Sequence, residues 1–211
     1  MTLGAITGAW AKSGAPLPYD AEVEFLQSTG TQYVDADFYN DNLSGFKIDC
    51  EVVENGYSST NPNNRIIGVG SVPRFCFSVS TTDANTFFGF DIAYRTPKRQ
   101  LGERLVAFLN YKNDRKLKIN DTVYSSSLAA TRQSRYSSFI FMHNVNGSPM
   151  TAQPTKAKVY SVEFTQGTEV VKRLIPVRKG QVGYFYDPYS GKLFGNKALG
   201  ADAFIIGSDK V

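Results

Sequence analysis

The chain has little of what metal sites, disulfide frameworks and nucleophilic catalysis are built from: among 211 residues there are two cysteines, one histidine and one tryptophan. Two cysteines cannot form the disulfide framework of a small secreted domain. In Phe46–Val52 alternation puts Cys50 on the buried face with Phe46, Ile48 and Val52. In Arg74–Val79 it puts Cys76 opposite its aromatic neighbours, so two reduced packing thiols are expected. His143, in the apparent strand Phe139–Asn144, shares a face with Phe139 and Phe141 and reads as a packed side chain, which excludes a catalytic triad. One His and two mismatched Cys also exclude a closed tetrahedral zinc site.

Long apolar runs are missing too. No stretch approaches the eighteen or so residues of a membrane-spanning helix, so no membrane insertion is expected. Met1–Trp10 carries no Lys or Arg, and Gly and Thr interrupt its apolar residues, so no secretory signal is expected. Charge of one sign is not concentrated: 23 basic residues face 19 acidic ones. Lys112, Arg115, Lys116 and Lys118 gather at one turn and Arg95, Lys98 and Arg99 at another, which is too little for a nucleic-acid footprint. Nor is there a sustained 3.6-residue apolar stripe, and without crossover helices a parallel sheet cannot form.

What is present is period-two alternation. Val34, Ala36 and Phe38 share one face, as do Phe88, Phe90, Ile92 and Tyr94, then Leu105, Ala107, Leu109 and Tyr111. Leu117 and Ile119 return across Asn113-Asp114, which predicts a hairpin over residues 104–120. Phe139 with Phe141, Tyr160 with Val162 and Phe164, and Phe204 with Ile206 complete ten or more strands without a repeat of fixed period. A two-sheet antiparallel β-sandwich over residues 21–211 follows, as one domain. Residues 1–20, rich in Gly, Ala, Ser and Pro, read as an extended N-terminal arm in which Trp10 either folds back or anchors a partner.

The segment Val23-Glu24-Phe25-Leu26-Gln27-Ser28-Thr29-Gly30-Thr31-Gln32-Tyr33-Val34-Asp35 resembles the first strand of concanavalin A-like, laminin-G-like jelly-roll domains of phage and gut-bacterial proteins. Lys158–Val162, Leu174–Arg178, Gly183–Asp187 and Ser190–Phe194 extend that resemblance over about residues 21–207. It implies the sandwich fold and says little about ligand. Asp187-Pro188-Tyr189-Ser190-Gly191 is also explained as a turn, with Pro presetting φ and Gly taking a left-handed position.

Glycoside hydrolases on this sandwich carry Glu-x-Asp-x-x-Glu or Glu-x-Asp-x-Glu on one strand, and neither run occurs here, so catalysis is not expected. The resemblance leaves calcium open, because Asp35, Asp37 and Asp41, with Asn40 and Asn42, gather hard oxygen ligands in one stretch that is not an EF-hand. No other cofactor is expected. For binding, the outward residues of the strand carrying Phe88 and Tyr94 are Phe87, Asp91 and Arg95, an aromatic ring beside two planar hydrogen-bonding groups suited to sugars or a protein partner. Two functions follow as expectations. One is a structural or attachment protein of a bacteriophage virion, oligomeric, tied to other virion proteins through the arm, with host glycans as a further ligand. The other is a bacterial carbohydrate-binding module, at a cell surface or secreted.

Overall fold

The computed structural model describes residues 16–55, 63–82, 85–128, 133–152, 155–200 and 202–211. Their strands, in chain order, begin with β1 (Ala21–Glu22), β2 (Leu26–Gln27), β3 (Val34–Tyr39), β4 (Ser44–Glu54), β5 (Asn64–Val69) and β6 (Phe75–Val79). Then come β7 (Thr86–Phe90), β8 (Ile92–Thr96), β9 (Arg104–Leu109), β10 (Leu117–Ile119), β11 (Thr122–Ser125), β12 (Ser137–Ile140), β13 (Asn144–Val145) and β14 (Ser148–Pro149). The last are β15 (Lys156–Gln166), β16 (Glu169–Lys179), β17 (Val182–Asp187), β18 (Lys192–Phe194) and β19 (Ile205–Ile206). A single 3-10 turn at Tyr111–Asn113 is the only helical element among the described residues.

The strands form the expected sandwich. The larger sheet runs β11-β10-β9-β4-β15-β16-β17-β18, with β1 on β16, β2 on β15 and β19 on β2. In the smaller sheet β14-β13-β5-β6-β7-β8 are in order, and β12 joins β5 to β3. All pairings are antiparallel except one, between Asn144 and Val69. Alternation explains the faces: β3 buries Val34, Ala36 and Phe38, β9 buries Leu105, Ala107 and Leu109, and β10 returns Leu117 opposite Leu109 and Ile119 opposite Ala107. Tyr111 departs from this pattern because the chain has already entered the 3-10 turn.

Aromatic rings join the two sheets. Phe46 of β4 meets Phe75 of β6 edge-on at 5.2 Å, and Phe38 of β3 stacks on Phe164 of β15 at 4.3 Å. Each fully buried ring contributes about 1.5–3 kcal/mol relative to exposure, so this layer is the main cohesive element. Cys50 lies in it, while Cys76 is buried on the opposite side of its own sheet, and both are free thiols. Burial pushes the Cys76 thiol up to about 12.

Two strand readings are corrected. Residues 88–94 are not one strand: Asp91 takes a left-handed φ of 60° and the chain reverses there, pairing Phe88 with Tyr94 and Phe90 with Ile92. Ile92, expected inside, is half exposed in consequence. The second correction is in β15, where the register against β4 shifts between Val159 and Ser161. Val159 and Val162 are both buried, and Tyr160 between them is turned to the outside. An extra residue on one strand re-aims its side chains, as a β-bulge does.

Of the N-terminal arm, residues 1–15, and Trp10 with them, lie outside the described residues. Its last residues lie against the larger sheet. Asp20 donates its N–H to the Arg178 carbonyl at 2.8 Å, accepts from Gly180 N at 2.7 Å, and Tyr19 packs 5.0 Å from the Tyr186 ring.

Candidate functional site

Two concave surfaces occupy the outer faces of the sandwich. On the smaller sheet, cross-strand register aligns Arg65 of β5, Ser78 of β6, Phe87 of β7 and Arg95 of β8 in one row. Adjacent strands are about 4.8 Å apart, so the row puts the Phe87 ring between two guanidinium groups. They sit 6.0 Å (Arg65) and 5.7 Å (Arg95) from its centroid. Arg65 also donates to Ser78 Oγ at 3.2 Å.

Beside this row lies a cavity of about 230 Å³ whose wall includes Arg65, Arg74, Phe87, Arg95, His143 and Asn63. Small residues make room for it. A Cβ on Gly89 would meet Arg74 Cβ and Cys76 Sγ, each at 2.8 Å, so the missing side chain lets Arg74 lie across β7. His143 does not lie in a continuous strand, because Phe141 takes φ 69° and separates β12 from β13. The packed histidine expected from the sequence is buried, with Nε2 3.1 Å from the Phe77 carbonyl. A carbonyl only accepts, so Nε2 carries the proton. Burial, and then the charge of Arg65, pushes the His143 pKa down to about 3. Burial also lowers Arg65, and neighbouring Arg74 adds to the effect.

Of the predicted binding trio, the structure brings Phe87 and Arg95 together as cross-strand partners. Asp91 is separated from them, in the β7–β8 turn, with its N–H on the Arg74 carbonyl. Arg65, Arg74 and His143 were missed, because three other segments deliver them and only strand register shows that they converge.

The second surface is a groove of about 650 Å³ over β4, β9 and β15. Tyr160, turned out by the bulge, meets Phe25 edge-on at 5.7 Å, and the Arg104 guanidinium lies 3.9 Å from its ring centre. Arg104 holds both oxygens of Asp49 at 2.9 Å, a fork-to-carboxylate pair. Tyr160 Oη donates to Glu51 at 2.8 Å, and Lys158 reaches the other Glu51 oxygen at 3.3 Å. Desolvation, then the bond to Glu51, raises the Tyr160 hydroxyl to about 12. Period-two reading placed Tyr160 in the core, and Val159 and Val162 three apart, both apolar, were the one sequence sign of a bulge.

The proposed calcium ligands are not gathered into one cluster. Asp35 accepts from the Asp37 N–H at 2.9 Å and closes a local turn. Asp41 takes Gln166 Nε2 on both oxygens, at 2.9 and 2.7 Å, with Leu43 N at 2.8 Å. Desolvation of Asp41 works the other way, but these bonds hold its carboxyl below the ordinary range. Among the described residues no three His, Cys, Asp or Glu side chains come together in metal-holding reach.

No family model matches the chain, and no curated protein does. Among solved structures, it is similar to a Bacteroides ovatus protein named "putative carbohydrate binding protein", with a TM-score of 0.64 and 11% identity over 90% of this chain. The chain spans 61% of that protein's length. At this identity the likeness is one of fold.

Proposed function

We propose that the protein is a non-catalytic, concanavalin A-like carbohydrate-binding module that holds a glycan in the groove over β4, β9 and β15. The observation that carries this reading is the Tyr160 ring, set outside the sheet by a bulge and surrounded by Phe25, Asp49, Arg104, Glu51 and Lys158. Sugars present apolar C–H faces and a fixed array of hydroxyls, and rings beside planar hydrogen-bonding groups answer both. Likeness in fold to the Bacteroides ovatus protein adds support, since carbohydrate binding is what that protein is named for. Attachment to a phage particle draws no such support from the comparisons.

The test is titration calorimetry of the whole chain against a panel of neutral and acidic polysaccharides. Tyr160→Ala and Asp49→Asn are each expected to weaken binding about tenfold, equivalent to about 1.4 kcal/mol, with the melting temperature held within a few degrees. If no polysaccharide binds, or if binding survives both substitutions, the groove reading is wrong.

A further inference from the structure

The cavity over the smaller sheet differs from the groove in one chemical respect. Arg65, Arg74 and Arg95 line it, and among the described residues no Asp or Glu does. Among the described residues, the Arg74 side chain forms no hydrogen bond or ion pair, and the Arg95 side chain has only its contact with the Phe87 ring. Four arginines elsewhere each face a carboxylate, Arg104 on Asp49, Arg173 on Glu163, Arg178 on Asp209 and Arg99 on Glu103, while Arg115 donates to the Leu128 carbonyl. Placing the Arg74 and Arg95 guanidinium groups on one wall without a carboxylate among the described residues costs stability through mutual repulsion, and an anion between them removes that cost. The site holds one further unmatched group. Asn63 Oδ1 is buried without a partner among the described residues, an acceptor ready for a hydroxyl proton.

A ligand that suits all of this carries a planar anionic group for the arginine forks, a hydroxyl for Asn63 and an apolar face for Phe87. We infer that this cavity binds an acidic sugar, a uronate, with its carboxylate between Arg74 and Arg95 and its ring against Phe87. The volume of about 230 Å³ fits a single sugar unit and not a chain. The proposal rests on the carbohydrate reading for the ligand's class, but on different residues and a different sheet. Carboxylate geometry matches the arginine fork bidentately, which a lysine in the same place would not provide.

The experiment is an NMR titration of the full chain with methyl glucuronide, methyl glucoside and sodium sulfate at low and high salt. The two glycosides differ only at the carboxylate. Expected is binding of the glucuronide at least about tenfold tighter than the glucoside, weakened several-fold by salt as an ionic contact requires. Arg74→Ala/Arg95→Ala should abolish it and Arg95→Lys should weaken it, because the charge survives and the fork does not. Tyr160→Ala should leave it unchanged. Equal binding of both glycosides, or loss of glucuronide binding in Tyr160→Ala alone, overturns the proposal. Sulfate binding as tightly as the glucuronide overturns its assignment to a sugar. Polysaccharide binding lost at Tyr160 with no glucuronide binding anywhere sinks this inference and leaves the groove reading intact.

Discussion

The two outer faces of the sandwich use similar residues in opposite ways. On the larger sheet several cross-strand pairs set a cation against an anion: Lys158 opposite Glu51, Glu163 opposite both Lys47 and Arg173, Lys156 opposite Glu54. On the smaller sheet, Arg65, Arg74 and Arg95 share a cavity wall that has no acidic side chain among the described residues. Cross-strand pairs of opposite charge stabilise a sheet by a few tenths of a kcal/mol each, and like charges cost as much. The first face is therefore arranged to be stable when empty. The second, on the proposal of an acidic sugar there, is completed by its ligand.

That contrast requires both faces to hang on one rigid layer, and Phe75 tests it most severely. Its ring touches Phe46 across the sandwich and Phe38 and Phe90 within its own sheet. Phe75→Ala is expected to remove about 3–5 kcal/mol by leaving a cavity among these rings, read from urea unfolding. Binding at both surfaces should weaken together. A loss below about 1 kcal/mol, or an effect on one surface only, would break the picture of a shared core.

Acid should separate the faces. His143 belongs to the arginine side, where its folded pKa is pushed from 6.5 down to about 3. Between those values the unfolded chain binds a proton that the folded one refuses, so stability falls as pH drops below 6.5 and the loss is complete near 3. Arg65 faces the same ring and holds its charge throughout, so it fixes the direction of the effect. From pH 7 to pH 5 this one group costs about 2 kcal/mol, at about 1.36 kcal/mol per unit below 6.5. His143→Gln should flatten the profile over that range by the same amount. An unchanged slope would mean that His143 is not shielded as its burial implies.

Much of this fold could be read from the sequence, because alternation is a direct physical signal wherever one strand face is buried. Phe46, Ile48, Cys50 and Val52 were legible for that reason, as was the return from Leu109 to Leu117. The sites were less legible, and the errors have a common cause. The two candidate sites lie beside interruptions of alternation: at Asp91, where one apparent strand folds into two, at Phe141, where another breaks, and at Tyr160, where an extra residue reverses the facing. Each interruption is a backbone event with little signature in side-chain type. Phe87 and Arg95 were chosen as members of one strand eight residues apart, and they meet because they are opposite each other on two. Arg65 and Arg74 needed the register between strands, which composition does not carry.

The finest test sets one arginine from each face against the other. Arg104→Gln gives up a fork-to-carboxylate pair with Asp49 and a stack on Tyr160, both largely at the surface, so stability should fall by about 0.5–1 kcal/mol. Arg74→Gln removes a half-buried charge that faces Arg65 without a carboxylate among the described residues. The sign should reverse, with a gain of a few tenths of a kcal/mol at low ionic strength. Raising salt to 1 M shortens the screening distance to about 3 Å, and both effects should shrink toward zero. Urea midpoints of the two variants at low and high salt decide the matter. If Arg74→Gln proves as costly as Arg104→Gln, the arginine cavity is held together by contacts of its own, and the case for a missing anion weakens. If it stabilises the empty protein while abolishing glucuronide binding, the repulsion is a cost kept for function, a form of the usual conflict between a ready site and a stable fold.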